Sequence, residues 1–497
     1  MGRVNVRAAK SVDGIVTLLV GDDENNIRAV SHGWRRLGDA ERDCKRLLAG
    51  QTPLMQATTL SRRKFLATTA TTAIAFPYVA KRSWAASPNS TVRHVTFGAN
   101  GMAFSDVNSI SGVKNVEVVA GAEVDPARQG RFAKKFPKGK LYTDWRELLD
   151  KEAKNFDTAN VSTPDHMHAP IAMAAMQLGK HVYVQKPLTH GVFESRQLRE
   201  YAKANKLATQ MGIQVHSSQV YREAVALVHQ GAIGKVTEVH TFSNKKWGDT
   251  GQRPNRKDKA PAGFNWDAWC GVAPKNDFIA GYYHPGQWRK RLDYGTGTFG
   301  DMGCHIYDPM YGAVGLTAPL SVRSESPAPV EGSHSWNVNA KIHYVYPGTK
   351  YTAGDTVNVT WYDGDARPPA NVQERIGRGL PGQGSVLFGT KGHMIIPHVG
   401  RAILLPDEKY KEFKRPEISG VNHWESFINA SRGEGKTSAN FDYSGPLTEA
   451  ILLGGIATRF PKKTLKWDEA KLAFSNSKEA TTFVKREYRK GWAVKGL

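Results

Sequence analysis

The segment VRHVTFGANGMAFSDVNSI, beginning at Val92, reads as a short apolar strand, a glycine-containing turn and a helix. A second apolar run, VEVVAGAEVD from Val116, carries Glu123 at its acidic end, about 25 residues after Gly98. These residue types at this spacing suit a dinucleotide. Gly98 allows the tight turn, the helix N-terminus offers unpaired N–H groups to a pyrophosphate, and the acid accepts from ribose hydroxyls. The fingerprint is imperfect: Asn100 stands at the second glycine of G-x-G-x-x-G and Ala103 at the third. Asn tolerates left-handed backbone better than most residues, and Gly101 offers an alternative close approach. Gly98, Asn100, Gly101 and Met102 are the candidate pyrophosphate contacts. A carboxylate at Glu123 repels a 2′-phosphate and favours NAD, while Arg128 close by in sequence leaves NADP open.

The elements that must position such a turn continue downstream. In FDTANVSTPDHMHAPIAMAAMQLGKHVYVQKPL, residues 156–161 read as a buried strand, 162–168 as a polar loop, 169–178 as an apolar helix and 181–184 as the next strand. Ligands of an open parallel sheet sit beyond the carboxyl ends of its strands. Thr163, Pro164, Asp165, His166, His168 and Lys186 fall at such ends. His166 and His168 have a metal-like spacing, but no third ligand is evident and no metal is expected.

After residue 213 the pattern changes. A strand is expected near AIGKVTEVHTFSNKKWG, with alternating stretches at 336–346, 357–362, 385–389 and 393–396 separated by turns such as Asp363-Gly364 and Lys391-Gly392. That is the signature of antiparallel pairing. Helices are expected at HWESFINASRG and over 446–460. Between them and the first half lies an aromatic density: Trp247, Trp266, Trp269, Tyr282, Tyr283, His284 and Trp288, with Arg289 and Arg291. Trp266 and Trp269, at i and i+3, read as core. Tyr283, His284 and Trp288, in a loop with Gly and Pro, read as candidates for the C–H faces and hydroxyl rim of a sugar ring.

Length and composition bound the rest. A chain of 497 residues, 40% apolar, suits two or three domains. The net charge of +22 raises nucleic acid as a partner, but residues 1–85 hold 14 basic and 7 acidic side chains. The remaining 412 residues carry +15 with no basic run interleaved with aromatics, so a mildly basic surface is expected and no nucleic acid. Three cysteines without a CxxC pair speak against a zinc ribbon or a disulfide scaffold; a Cys270–Cys304 bridge stays open.

SRRKFLATTATTAIAFPYVAKRSWAASP, from Ser61, places Arg62-Arg63 before a modestly apolar stretch of about 16 residues and small residues at a cleavage site. It resembles a twin-arginine (Tat) signal peptide, too short and too polar for stable membrane insertion. The Tat export machinery is then a partner, the destination is periplasmic or extracellular, and a cofactor can be bound before export. The expected organisation is a doubtful extension at 1–54, the signal at 55–85, a dinucleotide-binding domain at 92–215, a second domain at 216–465 and a tail at 466–497.

STPDHMHAPIAMAAMQLGKHVYVQKPLTH, followed about 110 residues later by GDMGCHIYD, resembles the family of glucose–fructose oxidoreductase, inositol dehydrogenase and the rhizopine-catabolism proteins (Gfo/Idh/MocA). The resemblance implies an α/β fold: an N-terminal Rossmann dinucleotide-binding domain plus a C-terminal α/β domain with a large, mostly antiparallel open sheet. It implies NAD(P) chemistry on sugars, polyols or cyclitols, and by analogy a homo-oligomer. Lys186 matches the lysine of the E-K-P motif, with Gln185 in place of its Glu; Asp301 and His305 match a D-x-x-x-H pair. Asp165, His166 and His168 match a loop along the cofactor, and Gln214 matches a residue on the nicotinamide side.

The residue types suit oxidation of a secondary alcohol. A base must take the hydroxyl proton as hydride leaves carbon, which suits His305, and a nearby cation stabilises the developing alkoxide, which suits Lys186. Asp301, four residues before His305, shares its face on a helix and could orient the imidazole or bind a hydroxyl. Without the resemblance, Lys186 reads as a surface lysine before proline, Asp301 as an N-cap and His305 as a core histidine. The expected function is hydride transfer between a nicotinamide and a carbohydrate. The alternatives are an NAD-retaining glycoside hydrolase or lyase acting through transient oxidation, and a non-catalytic sugar-binding protein.

Overall fold

The computed structural model describes residues 90–497 and, of the first 89, only three short antiparallel strands, Asn5–Ala8, Leu18–Gly21 and Ile27–Val30. The twin-arginine segment lies outside the described residues. No helix among the described residues is long and apolar enough to cross a membrane.

Six parallel strands form the first sheet: β1 (Val92–Phe97), β2 (Val116–Ala122), β3 (Lys140–Tyr142), β4 (Thr158–Val161), β5 (His181–Gln185) and β6 (Thr209–Gly212), in the order β3-β2-β1-β4-β5-β6. Helices cover both faces, which is why β4 is buried at every position and β1 at all but one. The strand order reverses between β2 and β4 on either side of β1, so the crevice for a ligand opens at the carboxyl end of β1.

The second sheet has nine strands: β7 (Val236–Ser243), β8 (Ser321–Ser324), β9 (Lys341–Pro347), β10 (Thr356–Asp363), β11 (Gly384–Gly389), β12 (His393–Pro397), β13 (Ile403–Leu405), β14 (Thr464–Asp468) and β15 (Ala473–Phe474). Their order is β13-β12-β11-β7-β10-β9-β8-β14-β15, antiparallel except for the β7–β10 pair. The alternating stretch expected at 336–346 begins only at Lys341. Trp336 and Asn337 instead pack beneath residues 244–298, where Trp336 Nε1 donates to the Gly295 carbonyl at 2.7 Å.

The long segment 244–298, called the strap here, leaves β7 and returns across the first sheet. Its aromatic side chains make a separate core of Phe264, Trp266, Trp269, Phe278, Tyr283 and Tyr294, with the Trp266 and Trp269 rings stacked at 4.6 Å. Residues 475–497 hold the strap from outside. Arg489 Nη1 pairs with Asp267 at 2.6 Å and its Nε donates to Gly271 O at 3.0 Å. Arg486 pairs with Glu194 at 2.8 Å and donates to the His166 carbonyl at 2.6 Å. Both described cysteines, Cys270 and Cys304, are buried and free, so the bridge left open above does not form.

Glu194 is 4% exposed and also caps the helix Val192–Ala204, accepting from Gly191 N at 2.8 Å. Removing its guanidinium partner strands a buried carboxylate. Arg486→Ala therefore lowers unfolding free energy in urea by about 3 kcal/mol; a loss under about 1 kcal/mol contradicts the tie.

Candidate active site

A single cavity of about 570 Å³ runs from the glycine turn to the second half of the chain. At one end lie Gly98, Asn100, Gly101, Met102 and Glu123; Thr163, Pro164, Asp165 and His168 line its side; Lys186, Gln214 and His305 line the far end. The strap contributes Trp269, His284, Trp288 and Arg289.

The glycine turn packs closely at Gly98 and leaves open space at Gly101. Gly98 has φ +96°, and a Cβ there would meet the Ser162 carbonyl at 2.9 Å. Gly101, at φ +55°, has nothing within 4 Å of where a Cβ would stand. The helix Met102–Ser111 starts there without a side-chain cap, leaving its first N–H groups to the cavity. Asn100 supports the turn by accepting from Gly101 N at 2.7 Å. The Glu123 carboxylate accepts from Ala99 N and Asp125 N, each at 3.1 Å. Burial raises its pKa.

At the far end the two halves meet through an ion pair. Lys186, just past β5, binds the Asp301 carboxylate and donates to the Asp301 carbonyl at 3.0 Å. Asp301 sits in a wide π-turn, Phe299–Gly303, rather than at a simple N-cap, and the helix Cys304–Val314 that follows starts one residue before His305. Arg289 of the strap reaches the same Asp301 oxygen at 2.9 Å. Burial pushes the Asp301 carboxyl up, but Lys186 and Arg289 outweigh it and hold its pKa at about 2.

His305 does not carry the near-neutral pKa expected of a poised base. Burial, then the Lys186 ammonium, push it well below the ordinary histidine value, so the imidazole is neutral. Its Nδ1 is buried without a protein partner, as are Thr163 Oγ1, Asp165 Oδ1 and Gln214 Oε1. Four unpartnered polar atoms on residues of one cavity fit a polar ligand seated along it. With the uncapped helix and the acid at Glu123, these groups fit a dinucleotide.

Three expected placements change. Tyr283 is 2% exposed in the strap core and does not line the cavity, because its ring completes the Trp266–Tyr294 cluster. His284 lines the cavity on the side of Asp125 and Arg128: its Nε2 lies 2.9 Å from Asp125 and accepts from Arg128 at 3.1 Å. His166 turns away from the cavity, its ring nitrogens 2.9 Å and 3.3 Å from the carbonyls of Trp269 and Tyr294, and so ties the strap to the first sheet. His168 does line the cavity, held by the carbonyls of Pro187 at 2.7 Å and Thr163 at 2.8 Å. Trp288 lines it with Arg289 stacked 4.5 Å above its ring. No group of three or more His, Cys, Asp or Glu side chains among the described residues is arranged to hold a metal.

Two contributors escaped sequence reasoning. Arg289 was one basic residue of an aromatic-rich loop, and nothing local marks its reach to Asp301. His398, after β12, has its ring 5.8 Å from that of His305 and its Nδ1 3.0 Å from the Tyr221 hydroxyl.

Comparison with known proteins follows the same division. Residues 92–213 match the Gfo/Idh/MocA oxidoreductase family, NAD-binding Rossmann fold, and residues 220–359 match that family's C-terminal alpha/beta domain. A levoglucosan dehydrogenase of Pseudarthrobacter phenanthrenivorans is 26% identical over 126 residues, 25% of this chain and 32% of the relative. An alpha-N-acetylgalactosaminidase of Shewanella oneidensis is 31% identical over 160 residues, 30% of this chain and 34% of the relative. The chain thus spans about a third of the length of these curated relatives. Among solved structures, the WlbA dehydrogenase from Bordetella pertussis in complex with NADH and UDP-GlcNAcA superposes with a TM-score of 0.54 at 15% identity, covering 76% of this chain and 99% of that one. An aldose-aldose oxidoreductase from Caulobacter crescentus gives 0.52 at 16% identity, covering 76% and 100%.

Gly98→Ala puts a methyl group against Ser162 O at a backbone angle that disfavours it. The NADH dissociation constant, read by nicotinamide fluorescence, is expected to rise at least about tenfold; parental affinity would place the dinucleotide elsewhere.

Proposed function

The chain belongs to the Gfo/Idh/MocA oxidoreductase family, and on that premise we propose that it is an exported NAD(P)-dependent enzyme transferring hydride between nicotinamide and a CH–OH carbon of a sugar, polyol or cyclitol. The observation that carries the reading is the convergence of Lys186, Gln214 and His305 in one cavity with the glycine turn and Glu123, with Asp301 behind the cavity wall bound to Lys186. When bound, the dinucleotide supplies the hydride acceptor. His305 is the neutral group placed to take the hydroxyl proton; burial beside Lys186 keeps it unprotonated and also makes it a weaker base than a free imidazole. Lys186 stabilises the oxygen as negative charge grows on it. Asp301 aims that ammonium and holds Arg289 beside it. Trp288 offers an aromatic face to the sugar's C–H side.

Export through the Tat pathway to the periplasm or beyond rests on Arg62-Arg63 and the small residues that follow the apolar stretch. A homo-oligomer formed through the open sheet is part of the same reading. A levoglucosan dehydrogenase among the relatives supports a carbohydrate substrate.

A second reading, a redox-neutral glycosidase that keeps its NAD, is favoured by the strap. Asn265 N donates to Val124 O at 3.3 Å and His284 meets Asp125 and Arg128, so the strap closes over the ribose-binding end of β2. An α-N-acetylgalactosaminidase among the relatives points the same way.

Mass spectrometry of cofactor released from the purified protein, then a sugar panel read at the nicotinamide absorbance, tests both. Sugar-dependent NADH formation supports the dehydrogenase; aglycone release from aryl glycosides without added NAD supports the glycosidase; neither, with no cofactor released, contradicts both. In either case Lys186→Ala is expected to cut turnover at least about 100-fold. With His305 as base, kcat/KM falls on the acid side only well below pH 6.5, because the folded-state pKa is depressed. An acid limb centred at or above 6.5 would remove His305 from that role.

A further inference from the structure

Position 185 is where this chain departs from the E-K-P pattern, and the structure shows what its amide does instead. Gln185 Nε2 donates to Asp106 Oδ2 at 2.8 Å, and Gln185 Oε1 accepts from the Lys186 backbone N–H at 3.2 Å. The amide lies flat on Gly212, where a Cβ would stand 2.7 Å from Nε2. Asp106 belongs to the helix Met102–Ser111 and is fully buried. It accepts from three further donors: Ser162 Oγ at 2.8 Å, Trp424 Nε1 at 3.1 Å and Tyr183 OH at 3.4 Å. All four donors are neutral. A buried carboxylate without a cation is costly, and burial raises its pKa to about 6. Such a group does more than fill space. Its four partners come from the loop after β4, from β5 twice, and from the helix His423–Ser431. Three of the segments it joins also line the cavity, at Met102, Ser162 and Lys186.

We propose that Asp106 is a positioning residue for Lys186: it supplies, from a neighbouring helix, the carboxylate that position 185 lacks, and Gln185 transmits it to the Lys186 backbone. The chain Asp106–Gln185–Lys186–Asp301 then runs unbroken from beneath the glycine turn to the second half. Gln185→Glu would set two carboxylates in contact. Asp106→Asn would turn an amide N–H toward donors. The double exchange D106N/Q185E restores one carboxylate and one amide across the same gap. The proposal rests on the catalytic reading of Lys186 but not on knowing the substrate.

The test is hydrogen exchange of the Lys186 amide, followed by NMR in chains labelled with 15N-lysine, together with NADH titration of the same full-length proteins. Each single variant is expected to speed Lys186 exchange at least about tenfold while distant lysine amides hold their rates, and the double variant to return within about threefold of the parent. Parental exchange at Lys186 in D106N overturns the proposal. So does a double variant no better than the worse single, or an acceleration shared by all lysine amides. If D106N alone does not fold, a folded double variant supports the exchange and an unfolded one overturns it. A parent that binds no NADH removes the dehydrogenase reading, while the exchange cycle still decides the role of Asp106.

Discussion

The Lys186–Asp301 ion pair is the constraint on which the site depends. It joins the carboxyl end of β5 to the turn that opens the helix bearing His305, two places that share no local sequence signal. Both side chains are nearly buried, so neither charge is compensated by water, and each would be costly alone. The pair fixes the distance between the dinucleotide-binding sheet and the second half. It also bears on the electrostatics: Asp301 stays ionised, and burial, reinforced by the Lys186 ammonium, keeps the His305 imidazole neutral. Two cations, Lys186 and Arg289, are held beside the imidazole because one carboxylate, Asp301, is shared between them.

Around this pair the chain builds from both sides. The first sheet delivers Lys186, Thr163 and the glycine turn from its carboxyl edge, as an open parallel sheet must. The strap crosses that edge, anchored at His166 and by Arg489 of the closing segment. Residues 466–497 read in sequence as a tail; within them Arg489 holds Asp267 and Gly271 of the strap.

Much of the fold was legible because its signals are local. The apolar runs of β1, β2, β4 and β5, the glycine turn and an acid 25 residues on follow directly from backbone requirements. Lys186, Asp301 and His305 stood out only through the resemblance, since each has an ordinary reading alone. The strap was misjudged where packing decides. Tyr283 and His284 are neighbours in sequence, yet one enters an aromatic core and the other meets Asp125, which hydropathy cannot foresee. Asp106 and Gln185 are 79 residues apart and meet only once the parallel sheet has formed. The low pKa of His305 likewise follows from burial beside Lys186, a property of the folded state alone.

A crystal structure of the protein with NADH tests the central claim most directly. The result required is a pyrophosphate at the N-terminus of the helix Met102–Ser111 and a nicotinamide ring within about 4 Å of the Lys186 and His305 side chains. A dinucleotide bound in the reverse sense, or with its nicotinamide away from both groups, would contradict it.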